Sequence, residues 1–370
     1  MKELIELLES HSLNKYYGVP DSLLGGLIED ICDDKNTSVD IVANEGIAIA
    51  SAIGHFIAKK KMACVFMQNS GIGNAYNPLV SLAAKEIYSI PMILMIGWRA
   101  ELDSSKEQLK DEPQHRLQGK ITLEQLELMG IPYEVISGTK DIKKCDKLIE
   151  KSKEENIPVA LVFRKKAVGK IKRVPEHLKE YQKLPTRKEV ISELRKSIKN
   201  TPIFCTTGKS SRELYEENEN NGNEHDFYCV GGMGHVSTIA QEFKRNKDVS
   251  QVYCIDGDGA LLMHLASMQR CSKVKGFNHI LINNYCHESV GGLPTHIQTV
   301  DIVNIAKSFG YSTVQSVDSI EDIKYALEKM DIDGSNFLEI KTSVEKRDDL
   351  PRPKKKPIEN LNMFMERKFA

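Results

Sequence analysis

The chain has 370 residues, 41% of them hydrophobic and 28% charged, and its 51 Lys and Arg nearly balance 52 Asp and Glu for a formal net charge of −1. A charge this close to zero gives no general reason to expect nucleic acid or an anionic membrane as partner, and the length suits two ordinary α/β domains or one large one. The cysteines (Cys32, Cys64, Cys145, Cys205, Cys229, Cys254, Cys271 and Cys286) form no Cys-x-x-Cys pair and no zinc spacing, which points to a reducing cytoplasm.

The opening MKELIELLESHSLN carries three glutamates inside an apolar pattern and reads as an amphipathic helix, not a signal peptide. The turn GVPDSLL follows, with Asp21 and Ser22. Short apolar runs bounded by Gly, Pro or Asn then occur at 40–43, 62–67, 91–97 and 158–163, and Asn69-Ser70 closes the second of them. The longest apolar run, 90–98, is far short of a membrane span. From 164 to 187 the chain is rich in Lys, Arg and Pro and has no buried-strand pattern, so it reads as a surface linker with a boundary near residue 185. Further runs lie at 202–205, 227–230, 251–255, 279–282 and 337–340. Alternation of such runs with helix-period stretches predicts α/β domains, each a doubly wound parallel sheet covered by helices on both faces, over 1–185 and 186–370. The run Lys354-Lys355-Lys356 reads as a solvated tail.

One turn asks for more than a fold. In CIDGDGALLMH, 254–264, a strand-like run ends at Ile255 and a helix-like run extends from Ala260 to about Cys271. Between them Gly257-Asp258-Gly259 puts a carboxylate where a glycine turn before a helix would otherwise cradle phosphate. The charge makes sense if a divalent cation stands between the carboxylate and a bound diphosphate, because Mg²⁺ is commonly held by a carboxylate or two plus phosphate oxygens. The next strand-like run, FNHILINN, ends at Asn283-Asn284. Neighbouring parallel strands deliver their C-terminal ends to one edge, which puts the Asn284 side-chain carbonyl close to Asp258.

This Gly-Asp-Gly, with Asn-Asn 25 residues on, resembles the cofactor fingerprint of thiamine-diphosphate enzymes. The resemblance implies a metal shell of Asp258 and Asn284 by side chain and Cys286 by backbone carbonyl. It also implies a glutamate beside the aminopyrimidine ring, at the head of a helix in the other domain. Glu45 in DIVANEGIAIASAIGHFIA fits that place. In YCVGGMGHVSTIA, Gly231 would offer its carbonyl to the cofactor amino group and Met233 would support its bent form.

The segments NEGIAIA, MQNSGIGNAYNPL, DEPQH, TTGKSSRELYE, HESVGGLPT and RDDLPRPKKKPIEN are together similar to the phosphonopyruvate decarboxylase family over nearly the whole chain. Membership implies two thiamine-diphosphate-binding domains, pyrimidine-type then diphosphate-type, with no middle domain. It implies conversion of 3-phosphonopyruvate to phosphonoacetaldehyde and CO₂ with thiamine diphosphate and Mg²⁺. It further implies a homodimer or larger homo-oligomer, with Glu45 of one chain meeting Asp258 of another. The alternative is sulfopyruvate decarboxylase, with the same two-domain plan, or another short 2-keto acid decarboxylase. Tyr285 and Cys286 after the paired Asn, Gly232 before Met233, and Leu293 where an amide is usual depart from the family pattern.

A substrate with two acidic ends calls for converging cations and hydroxyls. Lys209 and Arg212 stand at a helix start after the strand-like run ending at Cys205, and Thr207-Gly208 just before them suits the cofactor diphosphate. Asp21, Ser22, Asn69 and Ser70 are candidates on the substrate side, and equally fit ordinary turn and cap chemistry. For proton transfer after CO₂ departs the first candidates are His115, in a polar stretch suited to closing over a ligand, and His287. His55, His264 and His279 sit within helix or strand patterns and read as packing residues. Two rival functions are an NAD-linked oxidoreductase using the near-Rossmann turn at Gly232, and a non-catalytic subunit that keeps the fold.

Overall fold

The computed structural model describes residues 2–169, 176–222, 226–345, 347 and 349–369. Residues 170–175 of the basic linker stretch fall outside these. The chain divides into two compact units, Met1–Val174 with Val290–Leu293, and Pro175–Ser289 with Pro294–Ala370.

The first unit is built on β1 (Lys15–Gly18), β2 (Ser38–Ile41), β3 (Cys64–Gln68), β4 (Met92–Gly97), β5 (Tyr133–Ile136) and β6 (Pro158–Phe163). They form a parallel six-stranded sheet in the order β2-β1-β3-β4-β6-β5. Its helices are α1 (Lys2–Ser10), α2 (Gly25–Asp33), α3 (Glu45–Lys59), α4 (Ile72–Pro78), α5 (Pro113–Leu128) and α6 (Ile142–Glu155). Successive strand residues face opposite sides of the sheet. Thus Cys64, Phe66, Ile93, Met95, Leu161 and Phe163 join Leu4, Leu27, Ile28 and Ile149 in one apolar layer. Val65, Met67, Leu94, Ile96, Ala160 and Val162 join Ala48, Ile49, Ala75 and Leu126 in the other. Two covered faces explain why the central strands read as unbroken apolar runs.

The second unit repeats the plan. Its strands are β7 (Ile203–Cys205), β8 (Phe227–Tyr228), β9 (Val252–Gly257), β10 (Phe277–Asn283), the two-residue β11 (Cys286–His287), β13 (Thr313–Val317) and β14 (Ser335–Lys341), while the two-residue β12 (Leu293–Pro294) lies where the chain passes from the Val290–Leu293 segment back into this unit. The parallel sheet runs β13-β14-β10-β9-β7-β8. The helices are α7 (Arg187–Ser197), α8 (Lys209–Asn221), α9 (Val236–Asn246), α10 (Asp258–Met263), α11 (Met268–Cys271), α12 (Ile302–Phe309), α13 (Ile320–Glu328) and α14 (Pro357–Glu366). The Thr186 hydroxyl accepts from the Glu189 N–H while Glu189 accepts from the Thr186 N–H, a capping box that starts α7 just past the basic stretch.

Each apolar run read from the sequence overlaps a strand. Besides the two-residue β11 and β12, the structure adds β1, β5 and β13. The first is a Lys-Tyr-Tyr-Gly segment, and the other two lie at sheet edges, where one side needs no apolar cover. The helix expected over 260–271 is interrupted. α10 starts at Asp258 itself, and at His264 the backbone leaves helical geometry (φ −134, ψ 47) before a 3-10 turn leads into α11. Lys354, Lys355 and Lys356 are exposed, but they do not end the fold, because α14 follows and buries Phe364 among Phe204, Phe227 and Phe243. No helix among the described residues is long and apolar enough to cross a membrane.

Candidate active site

In the first unit the residues of interest stand where strands end. Asn44 caps α3 by accepting from the Gly46 N–H at 2.7 Å, which makes Glu45 the first helical residue. The Glu45 carboxylate is buried, and its Oε2 accepts from Asn74 Nδ2 at 2.7 Å. Gly71 leaves the room, since a Cβ there would lie 2.6 Å from the Glu45 side chain.

Asp21, beyond β1, is fully buried. One oxygen accepts from the Leu23 and Leu24 N–H groups at 2.8 and 3.1 Å, and the other has no hydrogen-bond partner among the described residues. Burial pushes its carboxyl up to about 6, only partly offset by those N–H groups and by the charge of Arg99. Gly97, ending β4, is needed for this approach, because a Cβ would fall 2.0 Å from Asp21 Oδ2. Ser22 and Ser70 are exposed, and Ser70 accepts from Gln68 Nε2 at 2.6 Å.

Asn69 is spent on scaffolding. Its amide donates to the Arg99 carbonyl and to Thr122 Oγ1 at 3.1 and 2.9 Å, and accepts from the Arg99 N–H at 3.3 Å. Arg99 is gripped by both oxygens of Asp111 at 2.6 and 2.8 Å. Burial works against the charge on Asp111, but these bonds hold its carboxyl well below the usual range. Asp111 also accepts from the Ala100 N–H at 3.0 Å, which ties the lead-in of α5 to the end of β4. His115 therefore lies in the first turn of a helix, half-buried, rather than in the loop before it.

In the second unit, parallel β9 and β10 deliver Asp258 and Asn284 to one sheet edge, with Ile282 opposite Gly257. Asp258 is buried and its Oδ2 accepts from Thr295 Oγ1 at 2.7 Å. Burial pushes its carboxyl up to about 7; the Thr295 hydroxyl works against this, and the charge of Glu288 adds to it. The paired asparagines divide their work. Asn283 turns inward, donating to Glu339 Oε1 at 2.7 Å and so tying β10 to β14. Asn284 faces the edge, donating from Nδ2 to Glu288 Oε2 at 2.9 Å and accepting the Cys286 N–H on Oδ1 at 3.3 Å. Tyr285 between them has a left-handed backbone (φ 63), and its ring stacks on Tyr181 with centroids 3.9 Å apart.

The glycines mark close approaches. A Cβ on Gly259 would fall 2.8 Å from the His287 imidazole, which lies against the Gly-Asp-Gly turn and whose pKa burial lowers to about 4. Gly234 (φ +85) brings the turn of Gly231 and Met233 against α10, where a Cβ would stand 2.8 Å from the Ala260 carbonyl. The Gly231 carbonyl accepts from Cys229 Sγ at 3.0 Å, and Met233 is half-buried. Thr207 and Gly208 (φ +104) precede α8. Lys209 at its start donates to Glu288 at 2.8 Å, and Arg212 lies one turn on. His279 is fully buried in β10 between Tyr311 Oη, 3.0 Å from Nδ1, and Asp256 Oδ2, 3.5 Å from Nε2. His264 marks the helix break and packs on His235 with centroids 4.3 Å apart.

Asp258, Asn284 and the Cys286 carbonyl are an all-oxygen donor set, the kind a hard divalent cation takes. Residues 1–126 match the family described as thiamine pyrophosphate enzyme, N-terminal TPP binding domain, and residues 206–340 match its C-terminal TPP binding domain. The phosphonopyruvate decarboxylase of Streptomyces viridochromogenes is 30% identical over 98% of this chain and 93% of its own length. The chain belongs to the phosphonopyruvate decarboxylase family. It is thus a thiamine-diphosphate-dependent carboxy-lyase of the phosphonopyruvate and sulfopyruvate type. The Streptomyces hygroscopicus phosphonopyruvate decarboxylase is 29% identical over 94% of the chain and 89% of its own length. The beta subunit of the Methanococcus maripaludis sulfopyruvate decarboxylase is 30% identical over 35% of the chain and 69% of its own length.

Sequence reasoning missed Glu288, Arg187, Arg99, Asp111, Asn74 and Thr295 around these sites. Arg187 and Glu288 are 101 residues apart and no local spacing announces their pairing. Thr295 lies 37 residues from Asp258. For Asp111, the charged DEPQH segment was a usable signal that a carboxylate opens α5.

Proposed function

We propose that the protein decarboxylates 3-phosphonopyruvate to phosphonoacetaldehyde and CO₂ using thiamine diphosphate and Mg²⁺. The observation that carries this reading is the buried oxygen donor pair Asp258 and Asn284 on neighbouring strand ends, in a chain related end to end to phosphonopyruvate decarboxylases. Asp258, Asn284 and the Cys286 carbonyl would hold the cation, with Thr295 keeping Asp258 in place. Gly257, Gly259, Thr207 and Gly208 would border the cofactor diphosphate, and Gly231 and Met233 its pyrimidine end. The bound cofactor supplies an electron sink for the departing carboxylate. Glu45, desolvated and held by Asn74, would hydrogen-bond the aminopyrimidine ring. Asp21, Ser22, Asn69, Ser70, Lys209 and Arg212 are the proposed substrate-binding residues; Asn69 also bonds Arg99 and Thr122, and Lys209 also bonds Glu288. His115 and His287 are the proposed proton carriers.

The reading includes a homodimer or larger homo-oligomer in which Glu45 of one subunit meets Asp258 of another. Ile47 and Ile57 on α3 and Tyr76 on α4 are large apolar side chains left exposed on the two helices that carry Glu45 and its partner Asn74, which supports burial by a second copy. The cysteines of the described structure are free, which fits residence in a reducing cytoplasm.

The test is CO₂ release with thiamine diphosphate and Mg²⁺, comparing phosphonopyruvate, sulfopyruvate and pyruvate, with and without chelator. The expected result is chelator-sensitive turnover with kcat/KM favouring phosphonopyruvate by about 100-fold, roughly 2.7 kcal/mol. Preference for sulfopyruvate, the second reading, which the Methanococcus relative supports, would overturn the substrate assignment and keep the mechanism.

A further inference from the structure

Glu288 stands four residues beyond Asn284 and divides its oxygens among three donors. Oε2 accepts from Asn284 Nδ2 at 2.9 Å and from Arg187 Nη1, and Oε1 accepts from Lys209 Nζ at 2.8 Å and Arg187 Nη2 at 3.4 Å. Arg187 and Lys209 arrive from the first residues of α7 and α8, and Glu213 grips Arg187 from the other side at 2.8 and 3.0 Å. The side chains of Arg187, Glu213 and Glu288 are 6%, 1% and 7% exposed. Two cations thus balance two carboxylates, the arrangement that lets such charges be buried.

The consequence lies in the amide. Nδ2 of Asn284 can only donate and Oδ1 can only accept. A flipped amide would set Oδ1 against the Glu288 carboxylate and Nδ2 against the Cys286 N–H. The carboxylate and the Cys286 N–H thus act together on the orientation of Asn284, the carboxylate taking its Nδ2 and leaving Oδ1 as the end that accepts.

We propose that Glu288 is a positioning residue that locks the Asn284 amide with its oxygen presented to the cofactor's divalent cation, with Arg187 and Lys209 as its counter-charges. This rests on the metal role proposed above for Asp258 and Asn284. Glu288→Gln keeps size, and Arg187 keeps Glu213, but a Gln amide both donates and accepts and so no longer selects one orientation of Asn284. Glu288→Asp, which retains charge and shortens the reach, serves if the Gln protein does not fold.

The experiment measures Mg²⁺ dependence of thiamine diphosphate binding by calorimetry, beside urea unfolding of the cofactor-free proteins. Expected is a Mg²⁺ requirement raised by about 10- to 100-fold in either variant, the range typical for loss of a carboxylate behind a metal ligand. Wild-type binding with a Mg²⁺ requirement in the variants within about twofold of it overturns the inference, including when only urea stability falls. Failure of the wild-type protein to bind thiamine diphosphate with Mg²⁺ overturns the cofactor reading itself, and the inference with it.

Discussion

Two buried carboxylates in the first unit differ in what holds them, and so in what they predict. Glu45 is held by Asn74 and, in the proposed role, acts on the cofactor. Glu45→Gln is expected to lower kcat/KM by about 10²- to 10⁴-fold with unchanged circular dichroism. Asp21 is a stability element with a definite pH signature. Its folded pKa is raised by burial, from 3.8 to about 6, against the charge of Arg99 that faces it. The contribution is therefore fully present below about pH 4 and is lost as pH rises through 6, a difference of about 3 kcal/mol. Urea unfolding at pH 4.5 and 7.5 checks this, and Asp21→Asn should flatten that part of the profile. At this scale, legibility in the sequence followed spacing. Asp258 and Asn284 could be picked out because one helix and one strand separate them. Glu288 and Arg187 could not, because a pair joined across 101 residues leaves no local pattern.

Among the elements, what could be read was decided by burial on both faces. β4 and β6 are buried at every residue and appear in the sequence as plain apolar runs. β5 and β13 are sheet edges with half-buried residues, and mix Tyr, Glu, Thr and Gln with Val and Ile. The break at His264 was equally hidden, because the apolar pattern continues through it while the backbone does not. What holds this region is contact between the Gly231–Gly234 turn and α10. Gly234→Ala would force a Cβ to 2.8 Å from the Ala260 carbonyl at a left-handed position. It should cost about 1–3 kcal/mol in urea unfolding and weaken cofactor binding.

For the whole molecule, the apolar face of α3 sets the prediction. Ile57 is 69% exposed, an unusual cost to leave uncovered on the helix that begins with Glu45. Ile57→Asp should shift the sedimenting species toward monomer, and activity should fall in step as the protein is diluted. A variant that stays dimeric and fully active would remove this face from the proposed interface.

The docking of α14 has a consequence for how far the chemistry and the core can be separated. Phe364 completes an aromatic cluster with Phe204 and Phe243, and Arg367 supplies a cation to the fully buried Asp226 at 2.9 Å. Without α14 the core around β7 and β8 lacks this wedge and Asp226 lacks one of its counter-charges. A chain cut near residue 356 would therefore keep every residue proposed for the chemistry and still leave the second unit with an open apolar core and an undercompensated buried carboxylate.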